Sequence, residues 1–134
     1  MIFIDTGAFL ARHLSRDQHH TDAVAGWQAL ANAGLACCTS NFVLDELLTL
    51  LGRRAGYAFA AERARTLYAS SVLTILRPDH DCEIAAIAWM ERYADQQVSY
   101  TDCVSFQLMH NRRIDTAFTF DRHFDLAGFR RWRA

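Results

Sequence analysis

The sequence predicts one α/β domain over residues 1–134, a three-layer α/β/α sandwich around a mostly parallel sheet. Three observations carry this expectation. Short apolar runs alternate along the chain with longer segments of helical periodicity. Strands separated by helices imply right-handed crossovers, hence parallel pairs covered on both faces. A chain of 134 residues, 51% hydrophobic and 22% charged, fills one core and has no room for a second catalytic domain.

Residues 1–5 read as a buried strand, three apolar residues running into Asp5. Segments 7–14 and 20–33 have helical spacing, the second ending at Gly34 in a C-cap role. Leu35 to Cys38 is a second short strand. From Ser40, the positions Phe42, Val43, Leu47, Leu50 and Leu51 repeat as a helix that Gly52 or Gly56 ends. An Ala- and Arg-rich helix over 57–70 and a β-branched strand from Ser71 to Leu76 come next. A helix over 80–94 clusters Ile84, Ile87, Ala88 and Met90 around one side, and 102–110 forms another. Ile114–Phe120 reads as a strand and Phe129–Trp132 as a weaker one. Pro78, the only proline, lies between two elements, and no repeat or linker divides the chain.

Six glycines and one proline exclude a disordered or collagenous chain. All 14 cations are arginine, which removes a lysine nucleophile, a Schiff base and a P-loop lysine together. The net charge of -1 does not announce a nucleic-acid binder. No charged leader opens the chain and no window approaches a membrane span, so a cytoplasmic protein with no membrane partner is expected. Cys37, Cys38, Cys82 and Cys103 form no CxxC pair and are expected as small buried hydrophobes rather than disulfides or zinc ligands.

Ligands of an open parallel sheet collect beyond the carboxyl ends of its strands. Asp5 and Asp121 each end an apolar strand there; either could equally be a helix N-cap. Glu46 has Phe42, Val43, Leu47 and Leu50 as helical neighbours, which puts it on or beside the apolar face. It would there pair, neutralise or bind a metal, or sit at the rim with Arg53, while Asp45 faces solvent. Ser99-x-x-Asp102 resembles a capping box, which is compatible with Asp102 entering a cleft at a helix N-terminus. Four such carboxylates repel one another unless a hard divalent cation joins them. Mg²⁺ or Mn²⁺ takes oxygen ligands, and two ions about 4 Å apart could activate water against a phosphodiester.

Four stretches resemble the PIN-domain nucleases, and among them the short VapC-like toxins of bacterial toxin–antitoxin pairs. They are Phe3–Ala11, Thr39–Leu48, Ser99–Asp102 and Phe118–Phe124, in the family's order and over essentially the whole chain. The resemblance implies a Mg²⁺- or Mn²⁺-dependent endoribonuclease. Asp5, Glu46, Asp102 and Asp121 match the family's acidic quartet. Thr6 and Thr119 match hydroxyl positions beside the first and last acids, and Asp125 is a possible extra acid. The resemblance further implies an RNA substrate and a cognate antitoxin, and a homodimer is expected.

Arg122, beside Asp121, is the foremost candidate for a phosphate contact, and His123 a minor one. An aspartyl-phosphate phosphatase is excluded by Gly7, where its second Asp would stand, and a serine hydrolase by the lack of G-x-S-x-G. The alternatives are a catalytically silent PIN-like binding module and a housekeeping RNA-processing nuclease. A DNA or flap nuclease would need helical elements that this length hardly accommodates. Without the four acids, 11 anions remain against 14 arginines, so the near-neutral balance hides an acidic cleft in a mildly basic shell.

Overall fold

A computed structural model describes residues Met1 to Ala134. Its strands are β1 (Ile2–Ile4), β2 (Cys37–Ser40), β3 (Leu73–Leu76), β4 (Thr116–Phe118) and β5 (Arg130–Arg131). They form one wholly parallel sheet in the order β3-β2-β1-β4-β5. Phe3 is in register with Cys38 on one side and Ala117 on the other. The helices are α1 (Thr6–His13), α2 (His20–Ala33), α3 (Asn41–Ala55), α4 (Tyr57–Tyr68), α5 (His80–Arg92), α6 (Tyr100–Asn111) and α7 (His123–Leu126). Successive side chains of a strand point to opposite faces, yet Ile2, Phe3 and Ile4 are all buried. Helices therefore cover both faces of the sheet, and the three-layer α/β architecture follows.

Packing fixes where the strands end up. Trp27 of α2 lies 5.2 Å from the ring of Phe9 and 5.5 Å from that of Phe118, and its Nε1 donates to the Ala8 carbonyl. Gly26 permits this approach, because a Cβ there would stand 2.5 Å from Phe118 Cζ. A second aromatic cluster centres on Phe106, with Phe124 at 5.0 Å, Trp89 at 5.5 Å and Phe129 at 5.6 Å. It ties α5, α6, α7 and the approach to β5 together.

Four of the five strands are shorter than expected, and the second is shifted. The second strand runs from Cys37 to Ser40 rather than from Leu35 to Cys38, since Ser40 completes it before capping α3 through the Val43 N–H. β4 stops at Phe118, because the Thr119 hydroxyl takes the Asp121 N–H at 3.0 Å and turns the chain locally. Asp121 thus lies beyond the strand instead of ending it. α5 ends at Arg92 and a short 3₁₀ turn, Ala94–Gln96, follows. The four-residue α7 has no counterpart in the sequence reading. Gly34 does adopt the left-handed C-cap, with φ 60°.

α5 also turns a different side inward. It packs through Cys82 and Ala86, with Trp89 and Tyr93 half-buried, and leaves Ile84, Ile87 and Met90 exposed as a stripe. All four cysteines are free; Cys38, Cys82 and Cys103 are buried and Cys37 half-buried. Burial pushes the Cys38 thiol up to about 12 and that of Cys103 to about 11, so both are inert packing groups. No helix is long and apolar enough to cross a membrane.

Candidate active site

The chain runs from β1 outward to β2 and β3, then crosses to β4 on the other side of β1. In an open parallel sheet this reversal opens a crevice beyond the carboxyl ends of the two strands that flank it. Asp5 directly follows β1, and Thr119 directly follows β4.

Asp5 stands at the N-cap of α1 with extended backbone, yet its side chain makes no capping bond. Its Oδ2 instead accepts a 2.7 Å hydrogen bond from the Thr119 hydroxyl, while its N–H donates to the Phe118 carbonyl at 3.1 Å. Asp121 N–H, Thr119 Oγ1 and Asp5 Oδ2 thus form one relay across the crevice. Thr119 is buried, and its single proton is committed to Asp5. Asp102 occupies the first turn of α6, which Ser99 caps by accepting the Asp102 N–H at 3.1 Å. The Asp102 carboxylate makes no reciprocal bond to Ser99 and is buried toward the crevice. Glu46 is half-buried on α3 between exposed Asp45 and fully buried Leu47, and neither acid joins an ion pair with Arg53.

These four carboxylates border a single cavity of about 260 Å³, with Thr6 and Phe120 at its edge and Leu10 and Leu50 as apolar wall. Burial is the main reason the Asp5 carboxyl rises to about 6; the Thr119 hydroxyl and the Thr6 backbone N–H oppose it, and Asp121 and Glu46 add to it. Asp102 is pushed up to about 9, again chiefly by burial, then by Asp5 and Asp121. Such a cluster holds protons until a cation replaces them. Donor atoms of Asp102, Asp121 and His123 lie within 4.8 Å of one another, and the buried Thr6 hydroxyl has no hydrogen-bond partner. This donor set fits a divalent metal ion.

A larger neighbouring cavity of about 400 Å³ has Arg131, Trp132 and Arg133 on its walls and Asp22 as its one carboxylate. Phe120 borders both cavities and stacks on His19 at 4.4 Å. The acidic chemistry belongs to the smaller cavity.

The PIN-domain family model matches residues 2–130. The chain belongs to the PIN-domain family. Among its relatives is the 23S rRNA-specific endonuclease VapC20 of Mycobacterium tuberculosis, 36% identical over 129 residues that cover 96% of this chain and 95% of that protein. The crystal structure of VapC20, a sarcin-ricin-loop-cleaving toxin, aligns with a TM-score of 0.86 and 33% identity over 96% of each chain. A DNA-bound VapBC structure from Salmonella typhimurium shares the fold, with a TM-score of 0.64 at 15% identity, covering 98% of this chain and 97% of that one. This PIN domain is therefore a homologue of VapC-type RNA endonucleases, in a family of metal-dependent nucleases.

The PIN fold gathers some of the sequence-selected residues and leaves others aside. Asp5, Glu46, Asp102, Asp121 and Thr6 meet in the cavity. Thr119 lies behind Asp5. Arg122 is exposed and outside the cavity wall, and Asp125 is tied to Arg131 by bonds of 2.8 and 3.0 Å. His123 comes closer to the acids than sequence reasoning placed it, its Nδ1 lying 3.0 Å from Asp121 Oδ1. The two-residue spacing from Asp121 was the available signal.

Proposed function

We propose that this protein is a Mg²⁺- or Mn²⁺-dependent endoribonuclease that hydrolyses RNA phosphodiester bonds and acts as the toxin of a toxin–antitoxin pair. One observation carries the reading: all four acids, delivered by four separate segments, face one cavity at the reversal of the sheet. A catalytically silent binding module would have no use for buried carboxyls raised as far as those of Asp5 and Asp102.

Asp5, Asp102 and Asp121, with Glu46 across the cavity, would hold the cation. With a divalent ion held by these residues, the site would gain Lewis-acid polarisation of the scissile phosphate and activation of water near neutral pH. Thr119 keeps the Asp5 carboxylate turned to the cavity through its 2.7 Å hydrogen bond. Glu46, the least buried of the three acids outside the β4 turn, is placed to accept a proton from the attacking water. Arg122, exposed and next to Asp121 in the chain, would meet an incoming phosphate from outside the cavity wall. The kinship to a 23S rRNA-specific endonuclease makes ribosomal RNA the first substrate to test. The homodimer is supported by the exposed stripe Ile84, Ile87 and Met90, and a cytoplasmic location by the kinship to a VapC endonuclease of ribosomal RNA. A VapBC complex among the structural neighbours supports a cognate antitoxin.

The test is cleavage of ribosomal RNA with Mg²⁺, Mn²⁺ or EDTA, with Asp5→Asn and Asp121→Asn as controls. Metal-dependent cutting that both variants lose is expected. Cutting that survives in both would overturn the assignment.

A further inference from the structure

We propose that His123 is a nitrogen ligand of the catalytic cation, and that it tilts this site toward Mn²⁺ over Mg²⁺. The inference rests on the metal-dependent reading above and adds a residue that the acidic quartet does not contain.

Gln96, the last residue of the short 3₁₀ turn, sets the imidazole. Its carbonyl lies 3.1 Å from His123 Nε2, and a carbonyl can only accept, so Nε2 carries the proton. A neutral ring then has its lone pair on Nδ1. That atom is buried, stands 3.0 Å from Asp121 Oδ1 and 3.9 Å from Asp102 Oδ2, and is aligned for a hydrogen bond with neither. Asp121 Oδ1 already accepts the His123 backbone N–H at 2.8 Å. Nδ1 therefore faces both carboxylates without a hydrogen bond to either, and the three donors converge on one region. Nδ1 and Asp121 Oδ1, 3.0 Å apart, have the separation of adjacent donors on an ion with ligands at about 2.1 Å, and all three donors lie within 4.8 Å of one another.

The remote nitrogen completes the pattern. Metal-ligating histidines almost always donate their other ring N–H to a carbonyl or carboxylate, which fixes the tautomer and the ring plane. Gln96 provides that carbonyl, and the chain leaves it through Gln97 in the left-handed region, φ 54°. Mg²⁺ is a hard ion that takes oxygen, whereas imidazole suits transition metals. Replacing one oxygen of the site by this nitrogen shifts preference toward Mn²⁺.

Electron spin-echo spectroscopy of the Mn²⁺-loaded full-length protein reads the contact directly, as a ¹⁴N coupling of a coordinated imidazole. The coupling is expected in the wild type and absent in His123→Gln. Calorimetric titration of the same two proteins should show Mn²⁺ affinity falling about tenfold or more in the variant, and Mg²⁺ affinity changing by less than about threefold. Should His123→Gln fail to fold, the wild-type spectrum decides alone. Bound Mn²⁺ without nitrogen coupling, or equal losses for both ions, overturns the role of His123 and leaves the nuclease reading standing. Failure of the wild type to bind either ion overturns that reading itself.

Discussion

Replacing Asp102 with Asn should abolish RNA cleavage and, without metal, raise the stability of the protein. From an ordinary 3.8, burial and neighbouring acids push Asp5 to about 6 and Asp102 to about 9. Each pKa unit is worth about 1.4 kcal/mol, so at pH 8 the rise at Asp5 alone opposes folding by about 3 kcal/mol, and Asp102 adds to it. An uncharged amide at 102 has no proton to take up on folding and so escapes the Asp102 share of that cost. Water reaching the cavity reduces the gain. A net stabilisation of about 1–2 kcal/mol remains, or about 3–8 °C in Tm for a domain of this size. Thermal denaturation at pH 8 in EDTA measures it. With saturating Mg²⁺ the wild type gains more than the variant, and the order narrows or inverts. A variant that melts below the wild type in EDTA would refute the claim that the cluster is electrostatically destabilising. One that still cleaves RNA would remove Asp102 from the site.

Four further outcomes are expected. The folded states of Asp5 and Asp102 hold protons more tightly than the unfolded chain, so their contribution is complete below pH 3.8 and disappears as pH rises through about 6 and then about 9. Denaturant midpoints in EDTA should therefore fall between pH 5 and pH 9, and Mg²⁺ should flatten that fall. Thr119→Val removes the group that orients Asp5, and should cut the cleavage rate about 10–100-fold while near-ultraviolet circular dichroism stays native. Gly26→Ala drives a methyl into the Phe118 ring and should cost about 1–3 kcal/mol in denaturant unfolding. Ile87→Asp puts a charge in the exposed stripe of α5, and light scattering should show a monomer for the variant against the proposed dimer for the wild type.

Elements with a strong period were legible in the sequence, and those made by tertiary contacts were not. The helix over 20–33 and its Gly34 cap agree with the structure residue for residue, because local chemistry decides both. The end of β4 was missed because the Thr119 side chain overrides an apolar run that otherwise continues to Phe120. The inward side of α5 was misjudged for a related reason: periodicity finds an apolar face but not which face the neighbouring α6 meets. At the site, Glu46 was distinguishable from Asp45 by helical phase. The capping roles of Asp5 and Asp102 were resolved only by geometry: the Asp5 side chain makes no capping bond, and Ser99 caps α6 as expected but without a reciprocal bond from Asp102. His123 depends on the Gln96 carbonyl 27 positions earlier, which no local pattern reveals.

Thr119 and Asp5 share a hydrogen bond across 114 positions of chain. During synthesis Asp5, Glu46 and Asp102 all leave the ribosome before the residue that orients the first of them. A nascent chain is unarmed until β4 zips in beside β1, and a fragment lacking that strand is inert however well its remainder folds. For a nuclease of this fold, strand order thereby delays assembly of the acidic cavity until β4 has been made.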